Sequence, residues 1–214
     1  EILKNNKRIF GMILNVISRD RFIEDNKRGF KRIMSSRNLD NDVEDEVVDK
    51  LVNTVDKAMP ELTHRYYKWK ANQFGQTKLD WWDRNAPLPH SSEKLIQWSE
   101  ARDIILESFS SFHPEISNLA KLFFKNNWID ASLRKGKASG AFAHPSVPSL
   151  HPYILVNYQG KIRDVMTLAH ELGHGVHQIL AGKNGLLMAE TPLTLAETAS
   201  VFGEMLVFRK LLDK

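Results

Sequence analysis

"TLAHELGHGVHQIL", residues 167–180, sets three histidines and one glutamate into a stretch that otherwise reads as an apolar helix. On a wheel turning 100° per residue, His170 and His174 lie about 40° apart and about one turn apart along the axis. Both rings can therefore meet one ion, at about 2.0 to 2.1 Å from each nitrogen if it is zinc. Glu171 lies about 100° round from His170. It flanks such an ion rather than binding it, which is where a base for a metal-activated water belongs. The five-residue pattern also arises by chance, and the alternative is a half-buried helix whose histidines are satisfied by hydrogen bonds. Two histidines one turn apart, with the stretch's one charged residue between them, fit that alternative poorly. A third ligand decides.

His177 lies only about 20° from His170 on the wheel, but seven residues separate them, about 10.5 Å along the axis. That is too far for three rings to converge, so His177 reads as a supporting residue or a groove wall. The downstream carboxylates are Glu190, Glu197 and Glu204. Glu197 follows His174 by 23 residues, room for a turn and the start of a second helix. Its surroundings, "LAETASVFGE" at 195–204, hold Ala196, Ala199, Ser200 and Gly203, and Gly173 lies on the facing helix. Small residues let two helices approach at the short end of the usual range, about 8 to 10 Å. Ser200 and Glu204 fall on the same stripe and can orient the metal-binding groups. The plainer reading of Glu204 is a solvated or ion-paired helix charge.

A chain of 214 residues can bury one good core or two small ones. It begins with Glu1 inside a helical pattern (Ile2, Leu3, Ile9, Phe10, Ile13, Leu14, Ile17), so a piece of a longer protein is expected. The absence of cysteine removes disulfides, thiolate metal sites and cysteine nucleophiles, and suits a cytoplasmic location. Any metal site must use His, Asp or Glu. No apolar run nears the eighteen or so residues that span a bilayer, so no membrane partner is expected. The net charge is +4, with basic clusters at Lys27 to Arg37 and Arg134 to Lys137. Without a nucleic-acid motif beside them, these read as solvated faces.

Helical spacing recurs along most of the chain. Residues 42–58 carry Val43, Val47, Val48, Leu51, Val52 and Val55, with Asp42 as a cap. Pro60 should break or kink the chain at that point, and a second helix over 61–74 should end at Gly75. "WWDRNAPLP", 81–89, reads as irregular, and helices are expected over 92–112 and 115–128. Between 129 and 162 glycines and prolines multiply, "YILVNY" at 153–158 reads as a strand, and "SGAFAH" at 139–144 as its partner. Asp164 should cap a helix to about Ala181, stopped by Gly182 and Gly185. Thr191 and Pro192 should open a last helix reaching the chain end.

"HELGHGVHQ" (170–178) followed by "PLTLAETASVFGEML" (192–206) resembles the oligoendopeptidase F and thimet oligopeptidase family of zinc peptidases. The likeness extends through "RKGKASGAF" (134–142) and, more loosely, to "HRYYKWKA" (64–71) and "WWDRNAPLP". It implies a mainly α, zincin-type metallopeptidase core with a small β-sheet preceding the metal-binding helix. One zinc ion would be held by His170, His174 and Glu197, with Glu171 as catalytic base. It further implies a deep channel in which short peptides are cut internally and from which folded proteins are excluded. The family's oxyanion-binding tyrosine and histidine would lie beyond Lys214. The expected organisation is a partial catalytic domain: a helical part (1–128), a sheet region (129–162) and the metal helices (163–214). A peptide substrate would add as a strand at 139–144, and the last helix would expose Leu195, Val201, Phe202, Met205 and Leu206 to self-association. Two rivals stand beside this reading: a metallocarboxypeptidase with the same ligands, and an inactive helical fragment with a residual metal site.

Overall fold

Helices form where apolar spacing and punctuating residues agree, and the computed structural model describes residues 2–89 and 95–213. The chain divides into two compact units, Glu1–Leu79 and Asp80–Lys214. The first holds α1 (Ile2–Asn5), α2 (Lys7–Arg28), α3 (Ser35–Asp40), α4 (Asp45–Ala58) and α5 (Arg65–Gln73). Gly29 ends α2 at φ 71°, a left-handed conformation that costs glycine nothing. Asp42 does not cap α4. It occupies a turn at φ 52°, and Glu44, in an extended conformation, precedes the helix instead. Nor does Pro60 break the chain: a π-helical turn, Pro60–His64, carries α4 into α5, with the His64 N–H bonded to the Met59 carbonyl at 3.0 Å. The wider turn absorbs the missing N–H and the ring's clash with the preceding turn. The apolar residues of α4 remain largely exposed, and none of its residues is buried.

The second unit opens with a short 3-10 turn, Trp81–Asn85, inside the stretch expected to be irregular. Next come α6 (Trp98–Phe112) and α7 (Pro114–Lys125). The expected helix start at 92 falls within 90–94, outside the described residues, and 95–97 are not helical. α7 stops short of 128 because Asn127 turns left-handed, at φ 57°, and the Trp128 N–H returns to the Phe123 carbonyl. A three-stranded sheet comes after it, β1 (Ile129–Asp130), β2 (Phe142–His144) and β3 (Tyr153–Leu155), in the order β1-β3-β2. β1 runs parallel to β3, with Ile129 opposite Ile154, and β2 runs antiparallel, with Ala143 opposite Ile154. β1 has no counterpart among the expected strands, and β3 is shorter than the 153–158 expected.

α8 (Ile162–Gly182) and α9 (Leu193–Leu212) complete the unit. Asp164 is the third residue of α8 rather than its cap. Its carboxylate reaches back to accept the N–H groups of Gln159 at 2.8 Å and Lys161 at 3.0 Å. Pro192, with ψ extended, takes the cap position expected of Thr191, so α9 starts one residue later than expected. Phe109, Phe123, Ile154, Leu168, Leu172 and Val207 are fully buried and form the centre of the core. Two glycines set the α8–α9 approach. A Cβ on Gly173 would stand 2.6 Å from the Ala199 carbonyl oxygen, and one on Gly203 3.1 Å from that of Ala169. Backbone therefore lies on backbone, as the small residues suggested.

The cluster at Arg134–Lys137 is not a solvated face throughout. The Lys137 side chain is only 1% exposed, and its ammonium donates to the carbonyls of Asp130 (2.9 Å), Ser132 (3.0 Å) and Val156 (2.7 Å) and to the Asp130 carboxylate (3.1 Å). A buried charge persists only when so fully partnered. Among the described residues, no helix is long and apolar enough to cross a membrane.

Candidate metal centre

α8 presents His170 and His174 from successive turns, with ring centroids 4.9 Å apart and planes at 81°. Across the close crossing, one oxygen of Glu197 lies 3.2 Å from His170 Nε2 and 3.4 Å from His174 Nε2. Donors held tetrahedrally at about 2.0 to 2.1 Å from an ion stand about 3.3 Å from one another. Both separations match that edge, so the residues fit a metal of zinc's size and geometry. The potential ligand atoms of His170, His174 and Glu197 all lie within 4.8 Å of one another, the one such group among the described residues.

The surroundings hold these donors in binding form. Burial is the main cause lowering the His174 pKa, against the pull of Glu197, and so favours neutral imidazole. The Ser200 hydroxyl, fully buried, donates to the Glu197 carboxylate at 2.7 Å. That bond, more than the neighbouring histidines, keeps the Glu197 carboxyl below its ordinary value. A carboxylate oxygen of Glu204 lies 3.2 Å from His170 Nδ1. With the Nδ1 proton donated there, the Nε2 lone pair is left facing the cluster.

Glu171 lies beside this group rather than in it. Its carboxyl is buried, and burial pushes its pKa up, offset by His170 and by a hydrogen bond from the backbone of Ala143. The Ile154 N–H bonds to Trp128 on the β1 side, so Leu155 and Tyr153 face β2. Ala143, between their partners, must then turn its N–H and carbonyl outward. Gln178 Nε2 donates to that carbonyl at 3.2 Å. α8 thus clamps the middle of the edge where strand addition was expected. Neither Gln178 nor the Ala143 backbone stands out in the sequence, since a backbone group leaves no residue signature.

His177 stands apart from the cluster. Together with His174 and Glu190 it lines a cavity of about 480 Å³ beyond the end of β2. A second cavity, about 430 Å³, opens on the other side, lined by His170, Glu171 and Glu204. Glu190 is exposed and does not join the two histidines.

A family model described as Peptidase family M3 matches residues 6–214. An oligoendopeptidase F homolog of Borreliella burgdorferi is 30% identical over 213 residues, which cover 98% of this chain and 36% of that protein. Oligopeptidase PepF of Bacillus subtilis is 28% identical over 198 residues, 92% of this chain and 29% of the relative. The fold matches PZ peptidase A, solved with an inhibitor, at a TM-score of 0.83 and 19% identity, over 98% of this chain and 38% of that one. The chain spans about a third of the length of the curated relatives it matches.

Proposed function

This chain belongs to peptidase family M3, and on that premise we propose that it carries the catalytic metal centre of a zinc-dependent endopeptidase acting on internal bonds of short peptides. The observation that carries the reading is the single Glu197 oxygen shared, at 3.2 and 3.4 Å, between two imidazole nitrogens. His170, His174 and Glu197 would hold the ion. Zinc in such a site supplies Lewis acidity toward a water and toward the scissile carbonyl.

The chain's own residues do the rest. Glu171 takes the water's proton and delivers it to the leaving amine, and its upward-shifted pKa suits a group that must both accept and release a proton. The Ala143 N–H orients that carboxylate. Ser200 holds Glu197, and Glu204 fixes the His170 ring. The cysteine-free composition supports placing the protein in the reducing cytosol.

Glu171→Gln is the direct test. An amide cannot act as the base, so the variant should keep its zinc and lose about 10² to 10⁴-fold in peptide turnover. Zinc content by atomic absorption and cleavage of a quenched fluorescent peptide measure both. Turnover near the parent rate would remove Glu171 from the mechanism.

A further inference from the structure

α8 grips the edge of the sheet at one residue and from two sides. Ala143, opposite Ile154 in the register of β2 and β3, turns its N–H and its carbonyl away from the sheet. The N–H bonds to the Glu171 carboxylate, and the carbonyl accepts from Gln178 Nε2 at 3.2 Å. Gln178 follows Glu171 by seven residues, so the two lie within about 20° of one helix face and about 10.5 Å apart along the axis. Both side chains nevertheless converge on a single residue of β2. His174, three residues after Glu171 and four before Gln178, stands on the turn between them. Ala143 is therefore fixed over the turn that carries His174.

Stability alone does not account for the glutamine. Its orientation is set, because the reversed amide would put its oxygen against the Ala143 carbonyl oxygen. The Oε1 atom so directed is buried and meets no hydrogen-bond donor among the described residues. One bond made returns less free energy than one buried polar group left unpaired costs. A methionine of similar shape would leave the Ala143 carbonyl unpaired but remove that orphaned oxygen, so the fold loses little by the exchange. What is lost is the second point of attachment. Held by its N–H alone, β2 can pivot at Ala143, and Glu171 no longer has a fixed donor to orient it.

We propose that Gln178 is a positioning residue for the reaction: by holding the Ala143 carbonyl it sets the Ala143 N–H against Glu171, and so aims that carboxylate at the water it deprotonates. This rests on the peptidase reading above, in which Glu171 is the base. Gln178 acts through Ala143, and its effect belongs to turnover rather than to substrate binding.

In the full-length, zinc-loaded protein, Gln178→Met should keep its zinc and its Tm, leave KM within about twofold, and lose about 10- to 100-fold in kcat. A double-mutant cycle with Glu171→Gln separates positioning from a structural role. If Gln178 works through that carboxylate, adding Gln178→Met to Glu171→Gln should change the residual turnover by less than about twofold, whereas independent losses multiply. Amide exchange at Ala143 should also quicken about two- to tenfold in Gln178→Met, as the loss of one restraining bond implies. Multiplying losses, an unchanged kcat, or a lower KM at full kcat would overturn the assignment; the last would make Gln178 an occupant that substrate displaces from the edge. Should Gln178→Met fold poorly, Gln178→Glu, the size of glutamine but without its amide donor, enters the same cycle. A parent that cleaves no peptide would instead count against the peptidase reading, while exchange at Ala143 would still decide whether Gln178 holds the strand.

Discussion

At the scale of the residue, the site depends on a few hydrogen bonds that set protonation. Ser200→Ala removes the strongest influence holding Glu197 ionised, and should weaken zinc binding about 10- to 100-fold, as loss of a ligand's supporting partner does elsewhere. Glu197→Ala should empty the site altogether while Glu190→Ala leaves it filled; metal content after dialysis distinguishes them, and the reverse outcome would exchange the ligands. Away from the site, hydrogen bonds from Arg134 and Lys137 hold the Asp130 carboxyl down at about 2. A carboxyl depressed in the folded state stabilises above its unfolded value, about 3.9, and loses that contribution as pH falls toward 2. Circular dichroism melts between pH 5 and 2 should therefore show the parent losing more stability than Asp130→Asn; parallel curves would deny the clamp. The two kinds of residue were unequally legible. His170 and His174 announce themselves by spacing, and Glu197 by its small neighbours. Lys137 does not, because three of its partners are backbone carbonyls drawn from 130, 132 and 156, a convergence that side-chain identities do not encode.

At the scale of the element, the α8–α9 crossing decides whether ligands from two helices meet. The Cβ of Gly173→Ala would collide with the Ala199 carbonyl and the Ser200 Cα, backbone atoms that cannot swing aside. α9 must back away, carrying Glu197 from the histidines. Overpacking of this kind costs about 1 to 3 kcal/mol, and the loss of zinc affinity should exceed what that destabilisation alone produces. Gly11→Ala in α2 is the control, since nothing lies within 4 Å of its added methyl; it should keep or raise thermal stability. Normal zinc affinity in Gly173→Ala would mean the crossing is not what assembles the site. Helices of this length were readable from their period, and so was the close approach, from Gly173 facing Ala199 and Ser200. Elements too short to have a period were not. β1 is two residues long, and the π turn at Pro60 depends on a choice between breaking and widening that the local sequence leaves open.

At the scale of the molecule, a mainly helical fold with a small sheet ahead of the metal helix was legible, but the covering of its surfaces was not. An apolar stripe looks the same in sequence whether or not something packs on it. On α9, Leu195, Val201, Phe202 and Met205 are 42 to 58% exposed, whereas Leu206, expected to lie open with them, is half-buried against the core. We propose that the exposed four let the 214-residue chain self-associate; sedimentation should show oligomers that Val201→Lys with Met205→Lys disperses, and a monomeric parent would refute this. The metal centre has a whole-molecule signature of its own, because its three donors come from α8 and α9 of one unit. A ligand that binds only the folded form stabilises it by RT ln(1 + [L]/Kd), about 2.7 kcal/mol at a hundredfold excess over Kd. Zinc should therefore slow amide hydrogen exchange throughout α8 and α9 and leave α4, in the other unit, unchanged. A chelator should reverse the effect, and His174→Ala should abolish it. Slowed exchange confined to α4, or no response in α8, would separate zinc from the residues assigned to hold it.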